Sequence, residues 1–127
     1  MASRYIVSTE ISFSSSHALR GYRGDCARVH GHNWVARASY EFAAPGPDGL
    51  TVDYRVLRAE LERVILPRFD HRHLNDVSPF DRINPTSENL AAELFRLCRA
   101  ELSFPGGTLR EIELRESPAD VVRYRED

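Results

Sequence analysis

From Arg4 to Phe13 the apolar residues Tyr5, Val7, Ile11 and Phe13 alternate with polar Ser8, Glu10 and Ser12. This period of two predicts a half-buried strand ending near Phe13. A second alternating run, from Gly31 to Ala43, sets Trp34, Ala36, Ala38, Tyr40 and Phe42 against Asn33, Arg37, Ser39 and Glu41, until Pro45-Gly46-Pro47-Asp48-Gly49 stops it. The period then changes. Asp53 is placed as an N-cap, Tyr54, Leu57, Leu61, Val64 and Ile65 fall on one helical face, and Pro67 is expected to end the segment. Thr86 follows Pro85 in N-cap position, Glu88 lies in the first turn, and Leu90, Leu94, Leu97 and Cys98 form a second apolar stripe. Beyond Pro105-Gly106-Gly107 a strand is expected from Leu109 to Glu116, and a last one after Pro118 through Val122 and Tyr124. The order β-β-α-α-β-β predicts an α+β fold: a four-stranded antiparallel sheet with two helices on one face.

At 127 residues the chain is expected to form a single domain over 1–127. Its formal net charge of −2 leaves no positive excess for a phosphate backbone, so nucleic acid is not an expected partner. All 17 basic residues are arginine, which excludes any mechanism built on a lysine Schiff base or a lysine general base. The N-terminal segment has charged residues inside its alternating pattern, and no apolar run approaches membrane-spanning length. Cys26 and Cys98 do not make a secreted disulfide framework, so a cytoplasmic location is expected, with no membrane partner.

Of five histidines, His30 and His32 form His-Gly-His at the head of the second strand. At i and i+2 on a strand their side chains share a face, about 7 Å apart along the backbone. If the first two strands pair as a hairpin, His17, just past the first, arrives at the same place. Three neutral imidazoles are a catalytic zinc set, because they leave a fourth position open. The bland alternative is ordinary surface histidines. Cys26, four residues before His30 and flanked by Arg23 and Arg28, reads as a fourth ligand, a reactive thiolate or an inert thiol. Asp70 and His71, in Phe69-Asp70-His71-Arg72-His73-Leu74-Asn75, read either as a proton-transfer pair or as a polar connection between helices.

Six segments, in order, resemble the family of 6-pyruvoyltetrahydropterin and 6-carboxytetrahydropterin synthases, from Phe13 to Tyr124. They are Phe13-Ser14-Ser15-Ser16-His17, Cys26-Ala27-Arg28-Val29-His30-Gly31-His32, Val52-Asp53-Tyr54, the Phe69 to Asn75 segment, Asn84-Pro85-Thr86-Ser87-Glu88-Asn89 and Arg115-Glu116-Ser117. The three residues between Cys26 and His30 are similar to the bacterial 6-carboxytetrahydropterin synthases of queuosine and 7-deazapurine biosynthesis. The resemblance implies a zinc-dependent carbon-oxygen lyase that converts 7,8-dihydroneopterin triphosphate to 6-carboxy-5,6,7,8-tetrahydropterin, acetaldehyde and triphosphate. It assigns zinc to His17, His30 and His32, proton abstraction to Cys26 and a relay to Asp70 and His71. It also assigns the grip on the pterin to Glu116, with Thr86 and Ser87 lining its pocket. It implies the tunnelling fold, in which subunits, a homohexamer by family precedent, close their sheets into a barrel with active sites between chains. Arg20, Arg23 and Arg28 are candidates for the triphosphate. The alternatives within the family are a pyruvoyl-forming or dihydroneopterin-cleaving enzyme. From another class, the alternative is a non-catalytic zinc module with Cys26 as fourth ligand.

Overall fold

The two long alternating segments pair with each other. In the computed structural model, which describes residues 3–127, β1 (Tyr5–His17) and β2 (His30–Phe42) run antiparallel over their full length, Tyr5 opposite Phe42 and His17 opposite His30. Next to β1, on the side away from β2, β3 (Arg72–His73) adds two residues parallel to Ser15 and Ser16. On the far side of β2 lies β4 (Gly107–Arg115), followed by β5 (Val121–Tyr124), both antiparallel to their neighbours. The sheet order is β3-β1-β2-β4-β5.

Helix α1 (Tyr54–Phe69) packs against β1, and α2 (Ser87–Glu101) against β4 and β5. Both start where expected. The Asp53 carboxylate accepts the Arg55 N–H at 2.8 Å, and the Thr86 hydroxyl accepts the Asn89 N–H at 3.1 Å, each satisfying one of the donors orphaned at a helix start. Thr86→Ala is therefore expected to cost about 1 kcal/mol, read in a thermal melt as a fall of about 3–6 °C. No change in melting temperature would mean the cap is idle.

One sheet face is apolar. Ile11 and Phe13, Trp34 through Phe42 at alternate positions, and Ile112 and Leu114 are buried against Leu57, Leu61, Val64 and Ile65 of α1 and Leu90, Leu94, Leu97 and Cys98 of α2. The opposite face is a lattice of ion pairs: Arg37 with Glu10 at 2.6 Å, and Arg123 with the nearly buried Glu113 at 3.1 Å.

The α+β architecture is as expected, with three differences. β1 does not end near Phe13 but continues to His17, because Ser15 and Ser16 have strand partners on both sides; a run of serines hides that pairing from the hydrophobic pattern. α1 does not end at Pro67. The proline sits in the last turn, where it forfeits one backbone bond, and the helix carries on to bury Phe69. The sheet has five strands rather than four, since two residues such as Arg72–His73 are too few to carry a period. Among the described residues no helix is long and apolar enough to cross a membrane.

Candidate functional site

The inward-facing series on three strands change chemistry at one end of the sheet. On β1, Ile11 and Phe13 are followed at the same spacing by Ser15 and His17; on β2, Trp34 is preceded by His32 and His30; past β4, Ile112 and Leu114 are followed by Glu116. Period-two alternation puts all of these on the face that carries the core, and antiparallel pairing sets His17 beside His30. The three imidazoles consequently crowd together, with ring centroids 4.5, 5.0 and 4.9 Å apart, and the fully buried Trp34 lies edge-on to His17 and His32. One potential ligand atom from each of His17, His30, His32 and Glu116 lies within 4.8 Å of the others, the one such group among the described residues.

Neighbouring carbonyls fix how two of the rings present themselves. His17 Nδ1–H donates to the Pro85 carbonyl at 2.7 Å, and His30 Nδ1–H to the Arg28 carbonyl at 2.7 Å, which leaves Nε2 as the lone-pair nitrogen of each ring. His17 Nε2 and His32 Nε2 are buried and make no hydrogen bond. Burial holds both imidazoles below their ordinary value of 6.5, outweighing the nearby Glu116 carboxylate that acts in the opposite direction. Neutral rings with unpartnered lone pairs, plus one carboxylate, are the donor set of a borderline-soft divalent ion such as zinc, and the residues fit one.

The same burial gives a pH dependence. The fold disfavours protonation of His17 and His32, so their contribution to stability is complete above 6.5 and is lost as pH falls through their depressed values. Metal-free protein should therefore melt at progressively lower temperature below pH 6.5. A flat profile from pH 8 to 5 would contradict this arrangement.

The other expected site residues lie around this cluster. Cys26 is half-buried in a single turn of 3₁₀-helix, Asp25–Ala27, and is not among the four grouped side chains. Its carbonyl accepts the Leu19 N–H at 2.8 Å, which folds the loop back on the chain leaving His17. Asp70 and His71 form a corner between α1 and β3, clamped to β1. Ser14 N–H donates to Asp70 Oδ1 at 2.9 Å and His71 N–H donates to the Ser14 carbonyl at 2.6 Å. His71 takes a left-handed backbone, φ 57°, and its Nδ1 lies within 3.0 Å of Asp70 Oδ2. The Ser14 amide, and then His71, hold the Asp70 carboxyl below its usual range. His71 lines an open groove of about 470 Å³ whose other walls include Ser14, Ser16, His32, Asn33 and His73. Cys26 does not line that groove. Thr86 and Ser87 follow the Pro85 carbonyl that orients His17, so α2 starts beside the cluster.

Two asparagines fix the chain that leaves His17. Asn75 accepts the Ala18 N–H and donates to the Ala18 carbonyl, both at 2.9 Å; Asn84 does the same for Arg20, at 2.8 and 3.0 Å. Each side chain imitates a strand partner and fixes the chain just beyond His17. These contacts span 57 and 64 residues, which no local pattern reveals. Arg20, Arg23 and Arg28 are all exposed, but Arg20 directs its guanidinium at the carbonyls of Ile83 and Phe80, at 3.0 and 2.7 Å, and so is engaged within the fold.

Comparison with known proteins agrees with this picture. The chain is 34% identical to the 6-carboxy-5,6,7,8-tetrahydropterin synthase of Synechocystis, over 94% of this chain and 92% of that one. It is 31% identical to the 6-pyruvoyl tetrahydrobiopterin synthase of Drosophila melanogaster, over 76% of this chain and 57% of the other. The structure of Caenorhabditis elegans 6-pyruvoyl tetrahydropterin synthase superposes with a TM-score of 0.87 at 27% identity, covering 99% of this chain and 98% of that one. The family model described as 6-pyruvoyl tetrahydropterin synthase matches residues 6–127, and the chain belongs to that family.

Proposed function

We propose that the protein is a zinc-dependent 6-carboxy-5,6,7,8-tetrahydropterin synthase. It converts 7,8-dihydroneopterin triphosphate to 6-carboxytetrahydropterin with loss of acetaldehyde and triphosphate, in the cytoplasm and on the queuosine branch of deazapurine synthesis. The observation that carries this reading is the trio of buried His17 and half-buried His30 and His32, gathered with Glu116 into one group of potential ligands in which Nε2 of His17 and of His32 has no hydrogen-bond partner. The short spacing from Cys26 to His30 and the identity to the Synechocystis synthase support the carboxy product over the pyruvoyl one.

His17, His30 and His32 would hold a divalent metal, which would supply Lewis acidity to the side-chain hydroxyls of the substrate and the adjacent C–H. The remaining work falls to side chains. Cys26, half-buried on its exposed turn, accepts the carbon-bound proton. Asp70 Oδ2, within 3.0 Å of His71 Nδ1, favours the proton on that nitrogen, leaving Nε2 to carry a proton between substrate and solvent. Glu116 sits where it faces both metal and substrate, and Thr86 and Ser87 border the pterin pocket at the head of α2. Because Cys26 does not line the groove that His71 lines, the reading places them together across a subunit boundary. The outer edge of β1 supports such assembly. It pairs only at Ser15 and Ser16, so among the described residues Tyr5 to Phe13 have no strand partner on that side, and closure of a barrel by further copies, six by family precedent, would remove the edge.

The test is incubation of zinc-loaded protein with 7,8-dihydroneopterin triphosphate, followed by mass spectrometry and an acetaldehyde assay. Acetaldehyde and 6-carboxytetrahydropterin in equal amounts support the reading. A pyruvoyl product without acetaldehyde would instead establish the second reading, which the Drosophila and Caenorhabditis resemblances favour. Bound zinc with intact substrate would overturn both and leave a binding module.

A further inference from the structure

The position of Glu116 is hard to reconcile with a carboxylate that only grips substrate. Its Oε1 lies 3.0 Å from His32 Nε2 and 3.4 Å from His17 Nε2. Neither nitrogen has a hydrogen-bond partner, so the approach is close without the alignment of a donated N–H. For His17 the reason is visible: its one ring proton is given to the Pro85 carbonyl, and Nε2 presents a lone pair. A carboxylate oxygen and imidazole lone pairs are all acceptors, and acceptors packed this closely repel unless a cation sits between them. The four side chains converge as a group instead of pairing off with one another.

Backbone geometry holds Glu116 there. It is the next inward-facing position after Ile112 and Leu114, and its own N–H is tied to the Asp120 carbonyl at 3.2 Å, in a turn closed by Ser117 Oγ and Asp120 at 3.0 Å. Its side chain is nonetheless 29% exposed, against 1% for His17, so rotation about its own bonds carries the carboxylate outward without disturbing the strand. Cys26 is outside the group of four and does not compete for the position.

We propose that Glu116 is the fourth ligand of the metal in the substrate-free protein, and that it yields this place when substrate arrives. This rests on the reading that His17, His30 and His32 hold a metal. Four protein ligands would close the resting centre, as in a structural site, and release of Glu116 would leave the three-ligand set of a catalytic site. The carboxylate so released stands beside the bound substrate, where it is free to accept hydrogen bonds from it.

The test uses the full chain and zinc(II) alone, titrated against a chelator, with cobalt(II) replacing zinc for visible spectra. Glu116→Gln and Glu116→Ala should each weaken zinc binding by roughly 10- to 100-fold or more and alter the substrate-free cobalt spectrum. Adding neopterin, a pterin with side-chain hydroxyls, should shift the wild-type cobalt spectrum toward that of Glu116→Ala with neopterin, since the carboxylate is then absent from both centres. The glutamine variant keeps the shape of the side chain, and melting of its metal-free form verifies that it folds. Unchanged zinc affinity and an unchanged cobalt spectrum in a folded Glu116→Gln protein would overturn the proposal while leaving the histidine site intact. Wild-type protein that binds no metal would overturn the histidine reading itself.

Discussion

His32→Ala should abolish metal retention and turnover together. His32 offers the cleanest substitution of the three histidines, because His17 is 1% exposed and anchored to Pro85, whereas the His32 side chain is 21% exposed and opposite Ser15 across the hairpin. Truncating it removes one of three nitrogens and leaves Glu116 against two rings. Zinc measured after gel filtration should fall from about one per chain to a small fraction, because two imidazoles and a displaceable Glu116 carboxylate hold the ion less tightly than the full set of four. Activity should fall by roughly 10³-fold or more, the equivalent of several kcal/mol of lost Lewis-acid stabilisation. The metal-free variant should also show a shallower acid destabilisation than metal-free wild type, because one of the two imidazoles with a depressed value is gone. Full zinc content in His32→Ala would place the metal elsewhere.

Cys26→Ala should give the opposite pairing of results, with metal retained and turnover lost. Cys26 lies in the Asp25–Ala27 turn and outside the grouped ligands, so removing its sulfur leaves the three histidines and Glu116 untouched. Loss of a positioned general base costs about 10²- to 10⁴-fold in rate. The split distinguishes the proton-acceptor role from the ligand role: zinc lost along with activity would make the thiol a fourth ligand and Glu116 a bystander. Cys98 is the internal control. It is buried in α2 with its thiol pushed up to about 12 by burial, and Cys98→Ala should leave turnover unchanged apart from the effect of a small cavity on stability.

Much of this was legible in the chain. Alternation at Tyr5 to Phe13 and Trp34 to Phe42 announced the central hairpin, and the same alternation, carried past its apolar members, is what aligns His17, His30 and His32. The N-caps Asp53 and Thr86 were readable because capping is a local interaction, complete within three residues. What escaped was either masked or long-range. Serines at 14 to 16 concealed the continuation of β1 as far as His17, and Pro67 suggested a stop that burial of Phe69 overrode. The reciprocal clamps of Asn75 on Ala18 and of Asn84 on Arg20 join positions far apart in sequence. The placement of Glu116 belongs to the second kind. Its parity with Ile112 and Leu114 was visible, but its approach to His17 and His32 depends on β4 lying next to β2, which only the sheet order supplies.

The most direct measurement is X-ray absorption at the zinc edge of the purified, substrate-free protein, with metal quantified in the same sample. About one zinc per chain is expected, in a shell of nitrogen and oxygen alone at about 2.0–2.2 Å. A sulfur neighbour at about 2.3 Å would show Cys26 on the metal, and would contradict both its role as proton acceptor and the assignment of Glu116 as fourth ligand.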